Sequence, residues 1–184
     1  MRTIRTLFAL MAIAAVSSAV WAAPLSTRDI ICGLDPHCTE RLSREFRGVT
    51  VTPGPGGTDP LSVNLYVNFA YNSAELTSDA RIILDRLGYA LVDDKLKDFS
   101  FMIEGHTDAV GSAPFNQTLS EQRARTVQRY LMDNFRIAEA RLVAHGFGKT
   151  RLLDASRPED GVNRRVQVVN LTAGATRQSG ATKP

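Results

Sequence analysis

Apolar and polar residues alternate from Leu61 to Phe69 (Leu-Ser-Val-Asn-Leu-Tyr-Val-Asn-Phe), the period of a half-buried strand. The spacing changes after Thr77-Ser-Asp-Ala80, an N-cap signal, where Ala80, Ile83, Leu84, Leu87 and Leu91 recur at helical intervals. Phe99 to Glu104 predicts a second strand, ended by Gly105. A second helix is predicted from near Thr118: Thr118-Leu-Ser-Glu121 fits a capping box, Ser120 offers an alternative cap, and Ala124, Val127 and Leu131 form the apolar stripe. Arg141-Leu-Val-Ala-His-Gly146 predicts a short strand running into Gly146-Phe-Gly148. Residues 149–163, rich in Pro, Asp and Gly, predict a loop, and Arg165 to Leu171 the last strand. Strand, helix, strand, helix, strand, strand is the order of a compact α/β sandwich, a mixed sheet with helices on one face.

The flanks read differently. Arg2 and Arg5 precede an apolar run, Leu7–Val16, and Val20-Trp21-Ala22 places small residues at −3 and −1, the layout of a secretory signal cleaved after Ala22. The alternative is an uncleaved anchor, for which the apolar run of about 17 residues is at the short limit. Residues 23–60 read as an extension that ends in the turn-rich linker Pro53-Gly-Pro-Gly-Gly-Thr-Asp-Pro60. The folded unit is expected over 61–171, and 172–184 holds too few apolar groups to pack, so a disordered tail is expected there. No series of alternating ten-residue strands precedes residue 61, so no transmembrane barrel is expected.

Charge and cysteine content set the compartment and the partners. Removing residues 1–22 takes away two Arg and no acid, leaving 20 Lys+Arg against 19 Asp+Glu, a net of +1. A near-neutral chain without a basic block has no electrostatic footprint for nucleic acid. Cys32 and Cys38 are the only cysteines, and with an export signal they suggest one disulfide clamping the N-terminal segment. Metal binding by Cys32, His37 and Cys38 is disfavoured by the oxidising compartment and the missing fourth ligand.

Two charged residues stand at element ends. Asp108 follows the second strand, and Arg123 falls at about the fifth position of a helix capped by Thr118. N–H groups at a helix start attract anions, and a guanidinium fork matches a carboxylate. Asp108 would accept an ammonium from the same ligand, which points to a zwitterion such as an amino-acid head. The same two residues would equally make a plain salt bridge between loop and helix.

Several separated segments occur in order: Phe69-Ala-Tyr-Asn-Ser-Ala-Glu-Leu76, Ile103-Glu-Gly-His-Thr-Asp-Ala-Val-Gly111, Asn116-Gln-Thr-Leu-Ser-Glu-Gln-Arg-Ala124, Tyr130-Leu131, Gly146-Phe-Gly148 and Asn163-Arg-Arg-Val166. Over about residues 61–171 the chain resembles the OmpA-like C-terminal domain, the peptidoglycan-binding module also found in Pal lipoproteins and MotB stators. The resemblance implies an α+β, βαβαββ two-layer sandwich. It implies non-covalent binding of the stem-peptide diaminopimelate with no cofactor and no metal. On that likeness Asp108 receives the ligand ammonium, Arg123 holds its carboxylate, Leu119 lines the pocket, and Tyr71 and Asn72 form an aromatic-polar rim. The family often has Asp where this chain has Ala70 and Asn72; Asn72 keeps an acceptor carbonyl but lacks the charge. Asn163, Arg164 and Arg165 also match, with a loop-ordering role expected. Glycines 105, 111, 146 and 148 are expected to serve turns.

Two other classes compete. Glu104, His106 and Asp108 alternate along a strand and, with His145, would make a metal-hydrolase site. A periplasmic protein-interaction adaptor, recruiting an envelope or outer-membrane partner through residues 23–60 with weak or no wall binding, is the other rival. The expectation is a non-enzymatic periplasmic protein associated with the cell wall or outer membrane.

Overall fold

The computed structural model describes residues 25–38, 61–70 and 72–172. The elements are α1 (Thr27–Leu34), β1 (Ser62–Leu65), α2 (Ser78–Leu91), β2 (Phe101–His106), α3 (Ala113–Phe135), β3 (Leu142–Gly148) and β4 (Val166–Asn170). Four strands form one mixed sheet in the order β1-β4-β2-β3. β4 runs antiparallel to both β1 and β2, and β2 runs parallel to β3. The expected mixed sheet, two-layer α+β architecture and βαβαββ order are all present. The proposed signal segment, the 53–60 linker, Tyr71 and the tail beyond Thr172 lie outside the described residues.

The core forms between the helices and one face of the sheet. Val63 and Leu65 of β1, Phe101 and Ile103 of β2, Leu142 of β3, and Val166 and Val168 of β4 alternate onto that face. Ala80, Leu84, Leu87 and Leu91 of α2 meet them, as do Ala124, Val127 and Leu131 of α3, the two stripes that the sequence spacing predicts. Thr77 caps α2, its Oγ1 accepting from the Ala80 N–H at 3.2 Å.

Two boundaries differ from the sequence expectation. The alternating run from Leu61 pairs only as far as Leu65, because its partner β4 begins at Val166 and the chain before it turns into a loop. Phe69 instead bridges Leu76 across a local hairpin. At its far end β2 continues through Gly105 to His106. Gly105 is not a turn residue: a Cβ there would lie 2.2 Å from the Ser120 carbonyl oxygen of α3. Gly146 of β3 is in the same position, 2.3 Å from the Glu121 N. The two strand glycines let α3 lie with its backbone against the sheet.

α3 also covers the β3 edge. Gln128 and Gln117 donate to the Leu142 and Gly146 carbonyls at 2.8 and 2.6 Å, and the Glu121 carboxylate accepts from the Gly146 N–H at 2.6 Å. Side chains thereby satisfy backbone groups that an edge strand otherwise offers to another chain.

The segment read as an extension contributes to the core. Ser26 caps α1 in a capping box with Asp29, and Ile30 and Leu34 are fully buried. The Asn170 amide donates to the Leu34 carbonyl at 2.8 Å, and Arg86 donates to the Leu25 carbonyl at 3.0 Å. An eight-residue amphipathic stretch ending beside Pro36 is too short to stand out by periodicity alone. Cys32 and Cys38 are joined in a disulfide with their Cα atoms 5.2 Å apart, so these two thiols are not metal ligands. Among the described residues, no helix is long and apolar enough to cross a membrane.

Candidate functional site

β2 delivers the chain to Thr107 and Asp108, both buried or nearly so. The loop that follows is tied down from three sides. The Thr107 N–H donates to the Gly148 carbonyl at 2.9 Å, and the Ala109 N–H donates to the Pro158 carbonyl at 2.9 Å. Lys149 donates to the Ala109 and Gly111 carbonyls at 3.3 and 2.8 Å. Asn116, buried on α3, donates from its amide to the Val110 carbonyl at 2.8 Å. The carboxylate of Asp108 is therefore fixed relative to α3.

α3 begins earlier than its sequence predicts. Ser112 is the N-cap, its side chain accepting from the Phe115 N–H at 3.3 Å, and Pro114 occupies the first turn. Thr118 is not a cap; its hydroxyl donates back to the Pro114 carbonyl at 3.1 Å, a mid-helix habit of Thr. Arg123 is thus the eleventh helical residue, about 15 Å along the axis from the start. The helix N-terminus does not assist it. Its placement comes instead from register, since Asn116 and Arg123 stand seven residues apart on one face, with Leu119 half-buried beside them.

Arg123 is held from below. Its Nε donates to the Ser73 carbonyl at 3.0 Å, and its Cζ lies 4.9 Å from the centre of the Phe69 ring. Both partners belong to the hairpin that Phe69 and Leu76 close. Among the described residues its terminal nitrogens donate to nothing and it makes no salt bridge. Burial lowers its pKa, the Arg164 cation lowers it further, and Asp108 pulls it back up.

Asp108 pairs elsewhere. Its Oδ2 accepts from Arg164 Nη1 at 2.6 Å, and its Oδ1 accepts from the Val110 N–H at 3.2 Å. Arg164 stands at the end of the 149–165 loop, with its side chain 53% exposed. That loop is organised by buried Asn163, whose amide accepts from the Asp154 N–H at 2.9 Å and donates to the Arg157 carbonyl at 2.9 Å. The next residue, Arg165, points the other way and donates to Asn64 on β1 at 3.1 Å. Two adjacent arginines thus serve the site and the sheet separately.

The structure brings Asp108, Arg123 and Leu119 to one region. Asn72 is exposed on the neighbouring hairpin at φ 53°, a left-handed backbone that Asn and Asp adopt more readily than most residues. Tyr71 lies outside the described residues. The sequence reading gave no site role to Arg164, Ser73, Phe69 or Asn116. All four lie inside the family-like segments, but no local pattern tells which of two adjacent arginines turns towards a distant Asp. The metal alternative does not assemble: Glu104 and His106 approach each other at 3.4 Å, His145 lies edge-on to Phe147, and Asp108 faces Arg164. Among the described residues no group of three or more His, Cys, Asp or Glu side chains converges on a point. A cavity beside α1, between Arg28, Ile31, His37 and Lys95, shares no residue with the Asp108–Arg123 region.

This fold and motif order define a class, and the chain belongs to it: the OmpA family model matches residues 68–165. The chain is 40% identical over 83 residues to Outer membrane protein A of Serratia marcescens, covering 45% of this chain and 23% of that protein. It is 30% identical over 118 residues to Outer membrane porin F of Pseudomonas aeruginosa, covering 61% and 32%. The chain therefore spans a third or less of either relative. Among solved structures it resembles a putative MotB-like protein from Desulfovibrio vulgaris, with a TM-score of 0.54 and 26% identity over 67% of this chain and 76% of that one. It also resembles the cell wall anchor of the T6SS from Pseudomonas aeruginosa, with a TM-score of 0.51 and 25% identity over 66% and 86%.

Proposed function

We propose that this domain binds peptidoglycan without bond-breaking chemistry, through the diaminopimelate of the stem peptide, and so anchors its carrier to the cell wall in the periplasm. Asp108 receives the ligand ammonium and Arg123 its carboxylate; Leu119 lines the aliphatic part, and the family resemblance assigns Tyr71 and Asn72 to the rim. The observation that carries the reading is the unpaired guanidinium of Arg123. It is positioned by Ser73 and Phe69 yet meets no carboxylate among the described residues. A cation half-removed from water without an anion is a cost that a ligand carboxylate relieves. Asp108, although bonded to Arg164, keeps free lone pairs, since a carboxylate offers about four acceptor sites. Membership of the OmpA family and likeness to a structure named as a cell wall anchor support the same reading.

The test is co-sedimentation of the purified protein with sacculi, competed by stem peptides containing diaminopimelate or lysine. Pelleting that only the diaminopimelate peptide reverses supports the proposal. Protein that stays in the supernatant supports the adaptor alternative, in which residues 23–60 contact an envelope partner.

A further inference from the structure

We infer that the site prefers stem peptides whose diaminopimelate carries a free α-carboxylate, and that Arg164 determines this specificity. The inference rests on the diaminopimelate reading above and concerns a different part of the ligand. Its basis is an imbalance of charge. Among the described residues Asp108 is the one carboxylate bonded to either guanidinium of the site, and Arg123 and Arg164 both act on it or on each other. Of the three acids of the 149–165 loop, Asp154 and Asp160 both pair with Arg157 at 2.8 Å, and Glu159 is exposed with no bond to Arg123 or Arg164. Lys149 adds a third cation, directed at loop carbonyls.

A zwitterionic head brings one positive and one negative charge and leaves that surplus in place. Its ammonium must also approach a carboxylate that Arg164 already partly neutralises. A ligand with a second carboxylate corrects both. Arg164 is free to take it: only its Nη1 is engaged, Nε and Nη2 have no acceptor among the described residues, and half the side chain is exposed. Gly161 leaves room for the guanidinium, whose Nη2 lies 2.9 Å from where a Cβ would stand. In a stem peptide the second carboxylate of diaminopimelate is an amide wherever a further residue follows, and becomes free once that residue is hydrolysed away. The reaction class that supplies the preferred ligand is therefore carboxypeptidase trimming of the stem.

The test uses isothermal titration of the full secreted chain with two synthetic Ala–Glu–diaminopimelate tripeptides. Both keep the distal ammonium and carboxylate; one has the α-carboxylate and the other an α-carboxamide. Wild type is expected to bind the acid about tenfold more tightly, the value of one charge-assisted contact at a partly exposed site. In Arg164→Gln the two affinities converge, while Arg164→Lys keeps part of the preference. Because each ratio is taken within one variant, it does not depend on the folded fraction of that preparation. Equal binding of both peptides by wild type, or a preference that survives Arg164→Gln, overturns the inference and leaves the diaminopimelate reading standing. Binding of neither peptide by wild type overturns both.

Discussion

Asp108 closes a 2.6 Å ion pair with Arg164, 56 residues further along the chain, and leaves Arg123 without a carboxylate partner among the described residues. The loop carboxylate and the helix guanidinium that the sequence suggests as partners are neighbours in charge but not in contact. Substituting Asp108 therefore separates fold from function. Asp108→Asn removes the charge from a pair that is half-exposed only on its Arg164 side and should lower stability by about 1–2 kcal/mol in a denaturant melt. The same variant should lose sacculus binding. A melt shifted by several kcal/mol would make Asp108 a structural residue first.

Gly105 and Gly146 set the distance between α3 and the sheet, and with it the position of Arg123. Gly105→Ala places a methyl group against the Ser120 backbone, which has no flexible end to yield. The expected loss is about 1–3 kcal/mol, the usual cost of overpacking. Weakened stem-peptide binding should accompany it, because α3 must move. Unchanged stability on thermal denaturation would contradict this packing.

α1 is part of the folded unit, with Ile30 and Leu34 fully buried in the core. Ile30→Ala should cost about 2–5 kcal/mol. A chain begun at residue 39 should melt well below the longer form, and equal melting temperatures would refute the docking of α1.

Much of the fold is legible in the sequence because burial imposes period. Thr77 as a cap, the α2 stripe from Ala80 to Leu91 and the α3 stripe of Ala124, Val127 and Leu131 are all read directly. The misreadings have physical causes. Thr118-Leu-Ser-Glu121 has the composition of a capping box, but Ser112 with Pro114 begins the helix, so Glu121 is free to bond the β3 edge instead. Gly105 and Gly146 resemble turn glycines until α3 is seen lying on them. For the candidate site, the roles proposed for Asp108, Arg123 and Leu119 come from motif likeness. The partnership of Asp108 with Arg164 is not, because it depends on how the 149–165 loop folds back over β2 and β3.

The open face of the sheet carries a pH dependence. The His106 side chain is 0% exposed and stacks on Phe147 with ring centroids 5.6 Å apart; among the described residues neither ring nitrogen makes an aligned hydrogen bond. Burial holds its pKa below the ordinary 6.5, Glu104 at 3.4 Å opposes the shift, and Arg165 and Arg151 add to it. On acidification the unfolded chain takes up this proton first. The contribution of His106 is thus complete above about pH 6.5 and falls away below it until the folded imidazole titrates too. His106→Phe should flatten that part of the curve in urea melts between pH 7.5 and 5. Parallel curves for wild type and variant would contradict the assignment.

The most direct measurement is co-pelleting of wild type and Arg123→Ala with purified sacculi, after both are shown to melt alike. Arg123 faces no described carboxylate, so its removal should leave the fold intact. A lost charge-assisted contact to ligand costs about 2–5 kcal/mol, enough to abolish pelleting at micromolar protein. An Arg123→Ala protein that pellets as wild type does would contradict the account.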